Sequence, residues 1–156
     1  MRIKHGKVVF GYRDSFSADS VLSQIIADWL KNFKKVLSER IDTDDQIGCP
    51  YSLLEDLYGK TEDGCYSDAQ IREGLRKFVE MLDEMIYAFD SDEPEPNCEY
   101  ILDDVCKEGE EGFIRFRVIP EDEDRYESWL DDVKAHYKRV ERGRELFAKY
   151  YDSLWW

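Results

Sequence analysis

The sequence is poor in the groups on which most enzyme chemistry is built. It has only two histidines, His5 and His136, far apart in the chain and unlike any zinc-protease spacing. Its four cysteines, Cys49, Cys65, Cys98 and Cys106, are scattered, and no two are separated by two residues. That argues for free, mostly buried thiols over a zinc site or disulfides. No glycine-framed elbow surrounds a serine or cysteine, and no phosphate-cradling glycine loop is present. Nucleophilic catalysis needs a base beside the nucleophile, and His136, on the shoulder of an apolar stripe, reads as a packed or surface residue. No stretch approaches the roughly 18 apolar residues that span a bilayer, and no charged-then-apolar leader precedes a cleavage site. The expected compartment is a cytoplasm, and no cofactor is expected.

The chain does have apolar material. At 156 residues it fits a single compact domain, residues 1–156, and its 42% hydrophobic and 14% aromatic content is enough to offset chain entropy. Charge is the other abundant feature, and it is unevenly spread. Residues 1–40 carry 8 basic and 4 acidic side chains, residues 41–132 carry 8 and 29, and residues 133–156 carry 6 and 3. The overall net of −14 is therefore a −21 segment between two mildly basic ends. Such a field repels nucleic acid and membrane surfaces and attracts cations or basic partners.

The expected fold is mainly α, of α+β class: three long amphipathic helices packed with a small β hairpin or sheet from residues 3–12 and 113–119. Lys7-Val8-Val9-Phe10 is β-prone and lies between Gly6 and Gly11. Val21, Leu22, Ile25, Ile26, Trp29, Leu30, Phe33, Val36 and Leu37 recur at steps of three and four, which puts them on one face of a helix of about six turns. Ser15 or Ser17 is placed to cap it. Residues 41–66 read as loop, interrupted by a helical turn at Ser52 to Tyr58 that stops at Gly59. Ser67 and Gln70 stand in the capping-box relation that opens the second long helix, with Ile71, Leu75, Phe78, Val79, Leu82, Met85, Ile86 and Phe89 on its core face. The acids and prolines from Asp90 to Pro96 end it.

Tyr100, Ile101, Leu102 and Val105 suit a strand or a helical turn, with the turn favoured. Phe113 to Ile119 alternates and precedes Pro120, so it reads as a strand that pairs with the amino-terminal one. The last helix begins after Glu121-Asp122-Glu123-Asp124, where acids suit the positive end of the helix dipole. Its apolar stripe is Trp129, Leu130, Val133, Tyr137, Val140, Phe147, Tyr151 and Leu154. Residues 150–156 hold four aromatics, Tyr150, Tyr151, Trp155 and Trp156. They cover the core, or they form a contact through which the chain self-associates.

The acidic clusters are the sharpest candidate for function. They are Asp42/Asp44/Asp45, Asp90/Asp92/Glu93/Glu95, Asp103/Asp104, Glu108/Glu110/Glu111 and Glu121 to Asp124. The plain reading is a solvated, solubilising surface. The functional one is that carboxylates at Asp90, Asp92, Glu93, Glu95, Asp103, Asp104, Glu121, Asp122, Glu123 and Asp124 imitate a phosphate backbone and occupy a basic groove on another protein. A metal site is a third possibility, although nothing fits the calcium-loop pattern.

Three segments resemble a group of small uncharacterised proteins of tailed bacteriophages: Asp14–Ile26 (DSFSADSVLSQII), Met81–Phe89 (MLDEMIYAF) and Arg142–Trp155 (RGRELFAKYYDSLW), together about a quarter of the chain. The sequence departs from that pattern in its unusually acidic connection between the second and third long helices. The resemblance implies a phage origin and action in the cytoplasm of an infected bacterium, and carries over no activity, cofactor or catalytic residue. The leading expectation is a non-enzymatic binding protein that neutralises a basic, nucleic-acid-binding or defence factor of the host. Two alternatives stand behind it: a protein that sequesters a small nucleotide through cations such as Arg115, Arg117, Arg139 or Arg142, and a metal-dependent enzyme acting on nucleotides through Asp83 and Glu84.

Overall fold

The computed structural model describes residues 2–4, 7–9, 18–43, 48–62, 64–96, 98–104 and 114–154, with the backbone course alone for residues 2–4, 7–9, 18, 100–104 and 114–117. Among these residues four α-helices carry the fold: α1 (Ala18–Arg40), α2 (Tyr51–Tyr58), α3 (Asp68–Asp90) and α4 (Glu123–Tyr150). The chain divides into two compact units, residues 1–91 with 139–156, and residues 92–138.

α2 and α3 start and stop for local reasons. Pro50 precedes α2, and its missing N–H costs nothing at a helix start. α2 ends at Gly59, whose φ of +78° only glycine adopts without strain and whose N–H donates to the Glu55 carbonyl at 2.8 Å. At the head of α3 the Gln70 N–H donates to Ser67 Oγ at 3.3 Å while the Ser67 N–H donates to Gln70 Oε1 at 2.9 Å. This is the reciprocal cap the spacing predicts. α3 closes where Ser91 turns its N–H and its hydroxyl back on the Tyr87 carbonyl, ahead of Pro94 and Pro96.

The core of this unit lies where α1, α2, α3 and the end of α4 meet. Leu30, Phe33 and Leu37 of α1, Leu53 of α2, Leu75, Phe78, Leu82 and Met85 of α3, and Tyr150 and Leu154 at the carboxyl end form one buried cluster, joined by Ile41. Phe78 is its hub: the Phe33 ring meets it edge-on at 6.4 Å and the Tyr150 ring at 5.8 Å. Edge-to-face pairs of this kind add to the burial of the rings themselves. A second pair, Phe89 and Phe147 at 5.0 Å, ties α3 to α4 nearer the surface. Lys31 reaches Asp90 at 2.8 Å and Lys34 reaches Asp83 at 2.5 Å, linking α1 to α3 with exposed pairs that orient more than they stabilise.

The residue that lets α4 approach α3 is Gly143. It is buried, and a Cβ built on it meets the Glu84 backbone carbonyl and, at 2.6 Å, the Ala88 Cβ. Nearby, Arg139 forms two bonds to the Glu84 carboxylate, at 2.9 and 3.0 Å, and stacks 3.8 Å over the Tyr87 ring. On the other side of the bundle Asp56 of α2 accepts from Lys149 at 2.5 Å and from the Tyr150 hydroxyl at 3.1 Å. The bond from Lys149 holds the Asp56 carboxyl below its ordinary range, so this contribution is fully present above the usual carboxylate pKa and is lost as pH falls from there through the lowered one.

Several expectations need correction. Among the described residues the α+β class, with three long helices and a sheet from residues 3–12 and 113–119, gives way to a helical fold of four helices, and no sheet takes part in its packed core. Among the described residues the strand-prone ends β1 (Arg2–Lys4) and β2 (Lys7–Val9) pair only with each other, and β3 (Tyr100–Asp104), a stretch expected to be a helical turn, pairs antiparallel with β4 (Ile114–Val118). An isolated two-stranded ladder is marginal by itself, so neither pair organises the helices. At the carboxyl end of the expected stripe Leu154 is buried but Tyr151 is 46% exposed; Tyr150, 1% exposed, takes the core position, two helical turns after buried Gly143. Ser15 and Ser17, as caps for α1, lie outside the described residues, as does the remainder of the acidic cluster at Asp44 and Asp45.

Replacing Gly143 by Ala should destabilise the protein by about 2 kcal/mol in urea unfolding, although alanine is the better helix former by about 1 kcal/mol, because the backbone of α3 has to give way. Unchanged or increased stability would show that α4 does not approach α3 this closely.

Candidate partner-binding surface

The second unit, residues 92–138, is where the charge concentrates. It holds 16 acidic and 6 basic side chains, and so −10 of the chain's net −14. Its described backbone comprises the ladder of β3 (Tyr100–Asp104) with β4 (Ile114–Val118), a 3₁₀ turn at Pro120–Asp122, and the amino-terminal half of α4.

Four bonds tie the segments of this unit to one another. Asp122 is 7% exposed; it accepts from the Glu99 backbone N–H at 2.8 Å and from Arg125 at 3.1 Å. The Trp129 indole N–H donates to the Pro94 carbonyl at 2.7 Å, and the Tyr137 hydroxyl donates to Glu93 at 2.7 Å. That last bond is the main reason the Tyr137 hydroxyl ionises above its ordinary range. The Tyr126 and Trp129 rings lie 5.4 Å apart. The aromatic residues of early α4 thus act as posts to which the Pro-rich segment 93–96 is tied. This explains why Tyr137, expected in the buried stripe, is 54% exposed.

The ten candidate acids fall into different roles. Asp122 is a buried structural acceptor and not part of a binding surface, because its carboxylate is used up by Glu99 and Arg125. Asp90 belongs to the first unit, where it pairs with Lys31. Glu93 is exposed but holds Tyr137. Asp92, Glu95, Glu121, Glu123 and Asp124 are exposed, and no ion pair involves them among the described residues. Asp103 and Asp104 are placed on β3 by their backbone. The loop-based reading missed acids on α4 itself: Glu127, Asp131 and Asp132 are exposed and continue the row from Glu123 at helical spacing. The i, i+4 relation of Glu123, Glu127 and Asp131 was the available signal. Asp131 alone of these is partly neutralised, by Lys134 at 2.8 Å.

Other chemistry finds little support in side-chain placement. Among the described residues no three His, Cys, Asp or Glu side chains gather as a metal site would require. Burial pushes the Cys49 thiol up to about 12, far from the range of an activated nucleophile. His136 is buried, at 7% exposure, in ring contact with Tyr137. Arg139, a candidate phosphate ligand, is committed to Glu84 and Tyr87. No described helix is long and apolar enough to cross a membrane. Comparison with protein-family models, curated proteins and solved structures finds no match to this chain.

Asp122→Ala should destabilise the protein by about 2 kcal/mol in a thermal or urea melt, since it leaves a backbone N–H without its charged acceptor. Asp122→Asn, which keeps an acceptor oxygen, should lose clearly less. Equal losses would mean that the bond to Glu99 contributes nothing.

Proposed function

We propose that this chain is a non-enzymatic binding protein, encoded by a bacteriophage, that neutralises a basic nucleic-acid-binding or defence factor of its host through the acidic unit at residues 92–138. The observation that carries this reading is the concentration of unpaired, exposed carboxylates in that unit. Acids scattered for solubility alone tend to be interspersed with bases. In the first unit half of the described acids are ion-paired, whereas Asp92, Glu95, Glu121, Glu123, Asp124, Glu127 and Asp132 have no ion pair among the described residues.

The spacing on α4 supports mimicry of a phosphate backbone. Glu123, Asp124, Glu127, Asp131 and Asp132 are spread over nine residue steps, about 13.5 Å of helix rise. That is one carboxylate per roughly 3.4 Å, the axial spacing of charge along one strand of duplex DNA. Arg125 and Lys134 dilute the density, and both are already spent on Asp122 and Asp131. A basic groove that binds a nucleic-acid strand by counterion release would gain in the same way from this row. The phage origin rests on the resemblance of Asp14–Ile26, Met81–Phe89 and Arg142–Trp155.

Affinity capture from bacterial lysate with the intact chain should recover a basic protein at low salt, lose it at high salt, and lose it on addition of duplex DNA or RNA as competitor. The quadruple variant Glu123→Gln, Asp124→Asn, Glu127→Gln and Asp132→Asn should melt like the parent and capture nothing. A partner retained by that variant, or one indifferent to both salt and nucleic acid, would overturn the proposal.

A further inference from the structure

α1 carries more apolar surface than one core face uses. With about 100° of turn per residue, Leu30, Phe33, Leu37 and Ile41 fall on one arc, and all four are buried. Leu22, Ile25, Trp29 and Val36 fall on a second arc, within about 60° of one another, where Trp29 is already partly buried against the core and stacked on Phe33. On that arc Leu22 is 48%, Ile25 38% and Val36 43% exposed. With exposed Asn32 they form the series 22, 25, 29, 32, 36, whose steps of three and four are those of a coiled-coil seam. Single exposed aliphatics are ordinary, but a row at seam spacing is the pattern of a face that packs on another helix.

The charges beside the row indicate which helix. Asp28 and Lys35 border it on the side away from the core, seven residues apart. Lys31 and Lys34 are engaged by Asp90 and Asp83, whereas Lys35 has no ion pair among the described residues. The Asp28 side chain is 66% exposed; it accepts from Gln24 at 3.0 Å and stands 4.0 Å from Lys31. In an antiparallel helix pair like flanks face each other. When Ile25 packs beside Val36 and Trp29 beside Asn32 of the other helix, Asp28 meets Lys35, and the two-fold axis repeats the match. Shifting the pair by one heptad sets Asp28 against Asp28. A parallel pair instead turns each charged flank toward the core-facing side of the other helix. The row and its charges therefore complement a second copy of themselves in one orientation and one register.

We propose that α1 is a self-association surface on which two copies of this chain pair antiparallel, with Asp28 of each copy facing Lys35 of the other. This surface is independent of the acidic unit and of the carboxyl-terminal aromatics, of which Tyr150 is buried in the core and Trp155 and Trp156 lie outside the described residues. A seam of five positions covers less than the roughly 800 Å² per partner of a standard interface, so the dimer is weak and dependent on concentration.

Sedimentation velocity of the full chain over a wide concentration range tests this. The parent should shift from monomer to dimer. Ile25→Glu should weaken the dimer at least about tenfold. Asp28→Lys alone and Lys35→Asp alone should each weaken it about tenfold, and the double variant, which exchanges the two charges, should recover it to within about threefold. All three positions are exposed, so melts of dilute variants should match the parent and separate lost pairing from lost folding. A chain that stays monomeric to its solubility limit, a dimer indifferent to Ile25→Glu, or a double variant no better than the single ones would each overturn the proposal.

Discussion

The nearness of α4 to α3 at Gly143 is the constraint on which the first unit depends. A helix interior is a costly place for glycine, because alanine gives up less backbone entropy there. The cost is offset where it allows two backbones to approach closely. At Gly143 the neighbours are the Glu84 carbonyl and Ala88, themselves small or backbone groups. With α4 seated at this distance, Tyr150 reaches Phe78 and Asp56, and Arg139 reaches Glu84 and Tyr87. Gly74 plays the corresponding part on α3, where an added Cβ meets Cys49 Sγ and Leu54, each at 2.7 Å. Two glycines within helices thus set the spacing of the bundle, and the aromatic residues fill what that spacing leaves.

The elements legible in the sequence were those specified by local chemistry. The capping box at Ser67 and Gln70, the stop at Gly59 and the acids and prolines after α3 each act within a few residues, so reading them needed no tertiary information. The strand pairing was not legible. Ile114–Val118 alternates whichever strand it joins, and only the fold decides that its partner is Tyr100–Asp104. The exposure of Leu22, Ile25 and Val36 was hidden for a different reason. Periodicity reports that residues share a side of a helix, but an apolar arc of roughly half the circumference does not say which part meets the core.

The candidate surface was legible only as composition. Counting charge by segment located the acids correctly in the middle of the chain, but it treated them as equivalent. Asp122 and Asp124 are two residues apart and have opposite fates, one buried under Glu99 and Arg125 and the other exposed without an ion pair. Sequence cannot separate them, because burial of a carboxylate depends on a backbone N–H that arrives from residue 99. The first unit, by contrast, holds 20 acidic and 16 basic side chains, and many of these are matched across helices. The division of the chain into a nearly balanced unit and a strongly acidic one is therefore sharper than the division by sequence segment, and it assigns the imbalance to 47 residues.

The two proposed surfaces should respond to salt in opposite senses, and that follows from the same charge. Binding of a basic partner by the acidic unit draws on long-range attraction, which ions screen beyond a Debye length of about 8 Å at physiological ionic strength. Pairing through α1 brings together two chains of net −14 and is opposed by their repulsion. Added salt removes that opposition while leaving the burial of Leu22, Ile25, Trp29 and Val36 untouched, at the smaller cost of screening two exposed contacts between Asp28 and Lys35. Self-association should therefore strengthen under the conditions that release a basic partner. A single assembly in which both rose or fell together with salt would have to draw on a surface other than these two.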